Sequence, residues 1–268
     1  MSIKIVAIDM DGTLLNDQSK ISEDNLKALN AASAKGVKIV LCTGRPLIGV
    51  TPYLKQINFK NPDEYAITYN GAFAQNLNGD VLINHTLTFD DYLAAEKLSH
   101  ELGTHLHVDG RNHIYTANKN ISPYTIGESF LVQMPIRYRA VEEMNPKLEI
   151  PKVMFIDHPD ILEKAKPTIL EHFGENYSIV QSEPFFIEMM HKNVSKGNAV
   201  KELVEHLGLS QENVLTLGDQ GNDLSMIEYA GTGVAMENAI PAVKKIAQHV
   251  TASNNESGVA RAIEKFVL

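Results

Sequence analysis

Two carboxylates two residues apart, followed at once by a glycine and a hydroxyl, begin the chemistry of this chain: Asp9-Met10-Asp11-Gly12-Thr13. Carboxylates so placed repel one another unless a cation lies between them. Magnesium, a hard ion that takes oxygen ligands, resolves the conflict. Three other stretches carry compatible groups: Thr43-Gly44-Arg45-Pro46, Lys196-Gly197 and Gly218-Asp219-Gln220-Gly221-Asn222-Asp223. Asp9, Asp11, Asp219 and Asp223 together would make a magnesium site, and Thr43 with Lys196 an anion site. A carboxylate facing both could attack phosphorus, while the ion and the lysine neutralise charge on the equatorial oxygens. Backbone N–H groups at the Gly12 turn and at helix N-termini would add donors.

These groups are useful only if the chain brings them together, and the elements that precede them suggest how. Ile5-Val6-Ala7-Ile8 is a β-branched run of the kind that forms a strand buried on both faces of a parallel sheet. A helix capped by Ser22 and stopped by Gly36 leads to a second such strand, Val37 to Cys42. Pro46 suits the first turn of the next helix. A third strand, Tyr65 to Tyr69, ends in Asn70-Gly71 and completes a βαβαβ alternation, which implies parallel strands and right-handed connections. Late in the chain, Ser195 caps a helix beginning near Lys196, Val214 to Leu217 is a strand that empties into Gly218-Asp219, and a strand from Thr232 to Met236 follows. A helix capped near Asn238 with Pro241, and another from Gly258, close the sheet. Polar chemistry thus follows strand ends, where open α/β sheets place their ligands.

Between these segments the pattern changes. A helix over Asp90 to Leu102 and strands near Thr104 to Val108 and His113 to Ala117 are followed by a similar order. That second set is a strand at Val153 to Ile156, a helix over Pro159 to Phe173, and strands near Tyr177 to Gln181 and Phe185 to Met189. Residues 83–190 read as an inserted α+β domain whose repeated element order suggests a duplicated unit, and residues 1–82 and 191–268 as one α/β core. Asn118 to Pro151, with four prolines, is the least legible stretch. Phe185, Phe186, Met189 and Met190 read as the inserted domain's own core, with an apolar wall toward the site as the alternative.

With 268 residues, 44% hydrophobic and 21% charged, the composition is that of ordinary globular proteins. A net charge of -9 argues against a nucleic-acid or anionic-membrane binder. Cys42, the single cysteine, has no partner for an internal disulfide and reads as a buried, inert thiol, in keeping with a cytoplasmic protein. No stretch approaches the roughly 18 apolar residues of a membrane span. Oligomeric state is left open.

The four motifs, in order and spacing, resemble those of the haloacid dehalogenase superfamily, and the position of the insertion resembles the type IIB cap of its Cof-type sugar-phosphate phosphatases. That resemblance implies a Rossmann-like parallel-sheet core and a magnesium-dependent phosphatase acting on small phosphorylated metabolites, sugar phosphates first among them. It implies Asp9 as nucleophile, forming an aspartyl phosphate, and Asp11 as the acid that protonates the leaving oxygen and then the base that activates water. Gly12, Thr43, Gly44, Lys196 and Asn222 would hold the phosphoryl oxygens. Asp9, the Asp11 carbonyl, Asp219 and Asp223 would bind magnesium. Arg45, Asn70, Gly71 and His191 would face the substrate or cap. A phosphomutase that returns the phosphoryl group to sugar, or a phospho-ligand sensor without turnover, is the alternative. Each residue also has a plainer reading: Lys196 as a solvated charge, Asp223 at a helix N-terminus, Thr43 as an N-cap. His105, His107 and His113 read as the polar face of a strand in preference to a second metal site.

Overall fold

The two apolar runs near the N-terminus form neighbouring buried strands in the computed structural model, which describes residues 2–57, 64–76, 78 and 80–268. The opening segment comprises β1 (Ile5–Asp9), α1 (Glu23–Ala34), β2 (Lys38–Cys42), α2 (Leu47–Gln56), β3 (Ala66–Thr68), β4 (Phe73–Gln75) and β5 (Val81–Asn84). The middle segment comprises α3 (Phe89–Leu102), β6 (His105–Asp109), β7 (Ile114–Thr116), α4 (Pro123–Val132), β8 (Ile136–Tyr138), β9 (Lys152–Ile156), α5 (Pro159–Phe173), β10 (Tyr177–Glu183) and β11 (Phe186–His191). The last comprises α6 (Lys196–His206), β12 (Val214–Gly218), α7 (Leu224–Tyr229), β13 (Thr232–Ala235), α8 (Pro241–Ile246), β14 (His249–Val250) and α9 (Gly258–Phe266). The chain divides into two compact units, one of Met1–Arg45, Val50–Asn84 and Ser195–Leu268, the other of Pro46–Gly49 and His85–Val194.

In the first unit the sheet order is β14-β13-β12-β1-β2-β3-β4-β5. β1 is central and parallel to both neighbours, with Ile8 opposite Leu217 on β12 and Asp9 opposite Cys42 on β2. This register brings the ends of three strands to one edge, where their loops carry Asp9, Thr43 and Asp219. The inner strands are apolar because helices cover them: Val200, Leu203 and Val204 of α6 pack with Ile5, Ala7 and Val40. Ser22 caps α1 by accepting the Asn25 N–H at 3.2 Å. Two features depart from the sequence expectation. β4 and β5 extend the sheet antiparallel beyond β3, and Asn70-Gly71, with positive φ of 55° and 108°, is the reversal that allows it. Asn238 does not cap α8; its amide donates to the Gly12 carbonyl at 2.8 Å and its oxygen accepts the Asn254 N–H at 3.0 Å. It ties the β1 loop to the C-terminal segment instead.

The second unit is α+β. Its sheet order is β10-β11-β9-β6-β7-β8, and alternation along the strands sorts side chains onto two faces. Leu106, Val108, Val153, Phe155, Ile187 and Met189 join Tyr92 of α3 and Ile169 of α5 in one core. His107, Asp109, Lys152, Met154 and Glu188 alternate with them, and α4 supplies neighbours on that side: Tyr124 stacks on Phe185 at 4.7 Å, and Phe186 packs with Met154 and Ile156. Phe185, Phe186 and Met189 therefore serve this unit's interior, and Met190 is likewise buried. The stretch that sequence reading left illegible contains α4, begun by Pro123 and capped by Ser122, and the edge strand β8. Among the described residues no helix is long and apolar enough to cross a membrane.

Candidate active site

Asp9 is the last residue of β1 and Lys196 the first of α6, and they meet: Lys196 Nζ donates to Asp9 Oδ1 at 2.6 Å and to Asp223 Oδ1 at 2.7 Å. Lys196 and Asp223 are fully buried, and Asp9 and Asp219 are 6% and 3% exposed. The solvated-charge reading of Lys196 is thereby excluded. Asp223 does not cap α7 with its side chain. Its Oδ2 accepts the N–H groups of Asp219 and Gln220, each at 2.9 Å, so one carboxylate both binds the lysine and shapes the β12 loop. Asp219 is oriented by the Thr13 hydroxyl, which donates to Oδ1 at 2.9 Å, and by the Gln220 amide, which donates to Oδ2 at 3.2 Å.

Glycine makes this closeness possible at two points. Gly12 has φ +80°, and a Cβ there would sit 2.5 Å from Asp219 Oδ2. A Cβ on Gly218 would lie 2.5 Å from that of Asp223. The N-terminus of α6 is fixed by the Gly197 N–H, which donates to Ser225 Oγ at 3.0 Å.

Charge does not balance inside the cluster. Three carboxylates face one ammonium, and oxygens of Asp9, Asp219 and Asp223 all lie within 4.8 Å of one another. Burial, with Asp223 and Asp219 adding to it, pushes Asp9 well above the carboxylate range despite Lys196. Burial also raises Asp219, with Asp223 adding to it against the Thr13 hydrogen bond. For Lys196 burial disfavours the charge, but Asp9 and Asp223 outweigh it and raise the group. All-oxygen donors with an excess of negative charge fit a hard divalent cation. Cys42 is a free, buried thiol whose pKa burial raises, as an inert core residue requires.

The remaining sequence candidates sit around this cluster or outside it. Thr43 is buried after β2, its hydroxyl accepting the Arg45 N–H at 3.1 Å. The Asp11 side chain is not one of the three clustered carboxylates and forms a two-pronged pair with Arg45, Nε donating to Oδ2 at 2.8 Å and the other prong reaching Oδ1. Arg45 also lies over the Tyr53 ring at 5.7 Å. Asn222 donates to Asn70 Oδ1 at 3.0 Å, and among the described residues Lys196 Nζ donates to Asp9 and Asp223, not to Asn222. Gly44 packs against the same Asn70 side chain, and Gly71 is buried against Ser195. His191 belongs to the other unit, where its ring stacks on His85 at 5.5 Å. Of the three histidines weighed earlier, His107 is wholly buried, so its polar face is an interior one. Sequence reasoning did not single out Thr13, Gln220 or Ser225 as supports, although Thr13 stood within the first motif.

The sequence profile of the haloacid dehalogenase-like hydrolases matches residues 6–263. The chain is similar to the Bacillus subtilis (strain 168) protein named "Putative phosphatase YxeH", with 48% identity over 99% of this chain and 98% of that protein. Among solved structures it is similar to a haloacid dehalogenase-like hydrolase from Bacteroides thetaiotaomicron, with a TM-score of 0.89 and 29% identity over 98% of this chain and 99% of that one. It is also similar to the structure of the HAD subclass IIB sugar phosphatase BT4131, with a TM-score of 0.80 and 26% identity over 98% of each chain. A profile that runs from β1 to α9, joined to close whole-length likeness, leaves one conclusion: the chain belongs to the haloacid dehalogenase-like hydrolase family, as one of its phosphatases.

Proposed function

We propose that this phosphatase hydrolyses small phosphorylated metabolites, sugar phosphates foremost, in the cytoplasm, through a phosphoryl group carried on Asp9 and with magnesium at the aspartate cluster. The observation that carries the reading is the buried Asp9–Lys196–Asp223 chain at the end of β1, with Asp219 beside it. Likeness to a subclass IIB sugar phosphatase supports the substrate class. Asp9, Asp219, Asp223 and the Asp11 carbonyl would bind the ion, which when present supplies positive charge to the phosphate and favours ionised Asp9.

In the first half-reaction an Asp9 oxygen bonds to phosphorus as the ester P–O bond breaks, and Asp11 gives its proton to the departing oxygen. In the second, Asp11 takes a proton from water, whose oxygen bonds to phosphorus as the bond to Asp9 breaks, releasing inorganic phosphate. Lys196, Thr43 and the backbone N–H groups at Gly12 and Gly44 neutralise the phosphoryl oxygens. The pair between Asp11 and Arg45 must open for the acid step, and an incoming phosphate competes with Asp11 for the guanidinium because both offer matching oxygens to its fork.

Release of inorganic phosphate from an aryl phosphate and from a panel of sugar phosphates, with magnesium or with excess chelator, tests the reading. The expected result is magnesium-dependent release that Asp9→Asn lowers by at least about 10⁴-fold. Release unaffected by that substitution would overturn the nucleophile, and isomerisation of sugar phosphates without release would establish transfer between sugars in its place.

A further inference from the structure

β8 is an edge strand of the second unit, paired in parallel with β7 so that Arg137 stands opposite Tyr115. Arg137 lies in β8 and Arg139 directly follows the strand, its backbone N–H donating to the Thr116 carbonyl at 3.0 Å. With Tyr115 and with Met144, Asn145 and Leu148 from the following loop they line a cavity of about 230 Å³. Two of the chain's five arginines therefore converge on one pocket of a protein whose net charge is -9. Neither forms an ion pair among the described residues. Among the described residues the Arg139 guanidinium donates only to the neighbouring Tyr138 carbonyl, at 2.7 Å. Glu143 also lines the cavity, but its Oε2 accepts the Ala140 N–H at 3.0 Å and closes the local turn. By contrast, Arg45 and Arg111 are each matched to a carboxylate, Asp11 and Glu149.

Guanidinium groups are donors only, and their fork matches carboxylate and phosphate oxygens. Two that form no ion pair among the described residues, in one concavity beside apolar Met144 and Leu148 and the amide of Asn145, form a receptor for an anionic head with a short carbon body. His113 reports the same field: partial burial first, then Arg137 and Arg139, hold its imidazole below the ordinary value.

We propose that the Arg137–Arg139 cavity of the inserted unit binds a small metabolite through a carboxylate or phosphate group shared by the two guanidiniums. The site shares no residue with the aspartate cluster and does not depend on the mechanism assigned there.

Calorimetric titration of the full-length protein tests this, with citrate and inorganic phosphate as separate probes, after metal has been chelated and the chelator dialysed away. Binding of at least one probe is expected, weakened by at least about tenfold in R137Q/R139Q and retained in Asp9→Asn. Citrate alone would identify a carboxylate ligand, and phosphate alone a phosphorylated one. Arg137 is on an edge strand and Arg139 just beyond it, so circular dichroism should show the double variant folded; R137K/R139K, which keeps the charge without the fork, should bind with intermediate affinity. No binding by either probe, binding undiminished in R137Q/R139Q, or binding abolished by Asp9→Asn would overturn the proposal.

Discussion

Each unit of this protein buries one lysine among three carboxylates, and the two clusters are built differently. In the first unit Lys196 donates at 2.6 and 2.7 Å, and Asp219 and Asp223 also accept hydrogen bonds from their own loops. In the second, Lys152 lies 3.3 Å from Asp109, 3.6 Å from Glu128 and 3.7 Å from Glu188. His107 is 3.4 Å from Asp109, and neither Asp109 oxygen accepts a hydrogen bond among the described residues. The first cluster draws on short loops at adjacent strand ends, where glycines let carboxylates approach. The second spans three strands and a helix whose spacing the sheet dictates. Composition is therefore a poor guide to task. Among the described residues only the Asp9, Asp219 and Asp223 group places three such ligand oxygens within 4.8 Å. The second cluster links α4 to the sheet, a packing role that tolerates looser geometry.

The comparison is broken or sharpened most strongly by removing each lysine. Lys196→Met leaves three buried carboxylates without their ammonium; phosphate release should fall by about 10³-fold, and stability at neutral pH by about 3–5 kcal/mol in a denaturant titration. Lys152→Met should also destabilise, by about 3 kcal/mol, but the folded fraction should keep kcat within about threefold of wild type. Equal loss of kcat in both would show that the two clusters do not differ in task.

A smaller effect separates orientation from charge. Thr13→Val removes the hydroxyl that orients Asp219 and should weaken magnesium, read from the metal dependence of phosphate release, by about 10- to 100-fold. Unfolding midpoints should scarcely move.

The smallest effect is a difference in pH response of the metal-free protein. Asp9 and Asp219 lie above the ordinary 3.8, so above that pH the folded state binds more protons than the unfolded one, and stability falls as pH rises through the folded values. Asp109 lies below 3.8, because Lys152 and His107 outweigh the burial that opposes them. Its contribution is present above 3.8 and is lost as pH falls through the folded value. Denaturant midpoints against pH should therefore show a decline toward neutrality that Asp9→Asn reduces and magnesium reverses, and an acid-side loss that Asp109→Asn reduces. A midpoint that rises toward neutrality in chelator would contradict the charge excess at the aspartates.

Much of the core was legible because its signals are local. β-Branched runs, Ser22 and Ser195 as caps, and carboxylates directly after strands mark elements and chemistry within a few residues of each other. The sequence by itself determined which groups are available just after strands and at a helix start: Asp9, Thr43, Asp219 and Asp223 in the first place, Lys196 in the second. Tertiary structure decided their partners. That Lys196 bridges Asp9 and Asp223, that Asp11 turns to Arg45 and that Thr13 serves Asp219 depend on contacts between residues far apart in the chain, fixed by the parallel register of β2, β1 and β12. The same holds for the strands that were not anticipated. β4 and β8 have three residues each, too few to display a period, and they exist because a neighbouring strand offers unpaired backbone groups. Local patterning specifies an element only when it is long enough to bury a face on its own; shorter elements and side-chain partnerships are settled by what the assembled sheet places beside them.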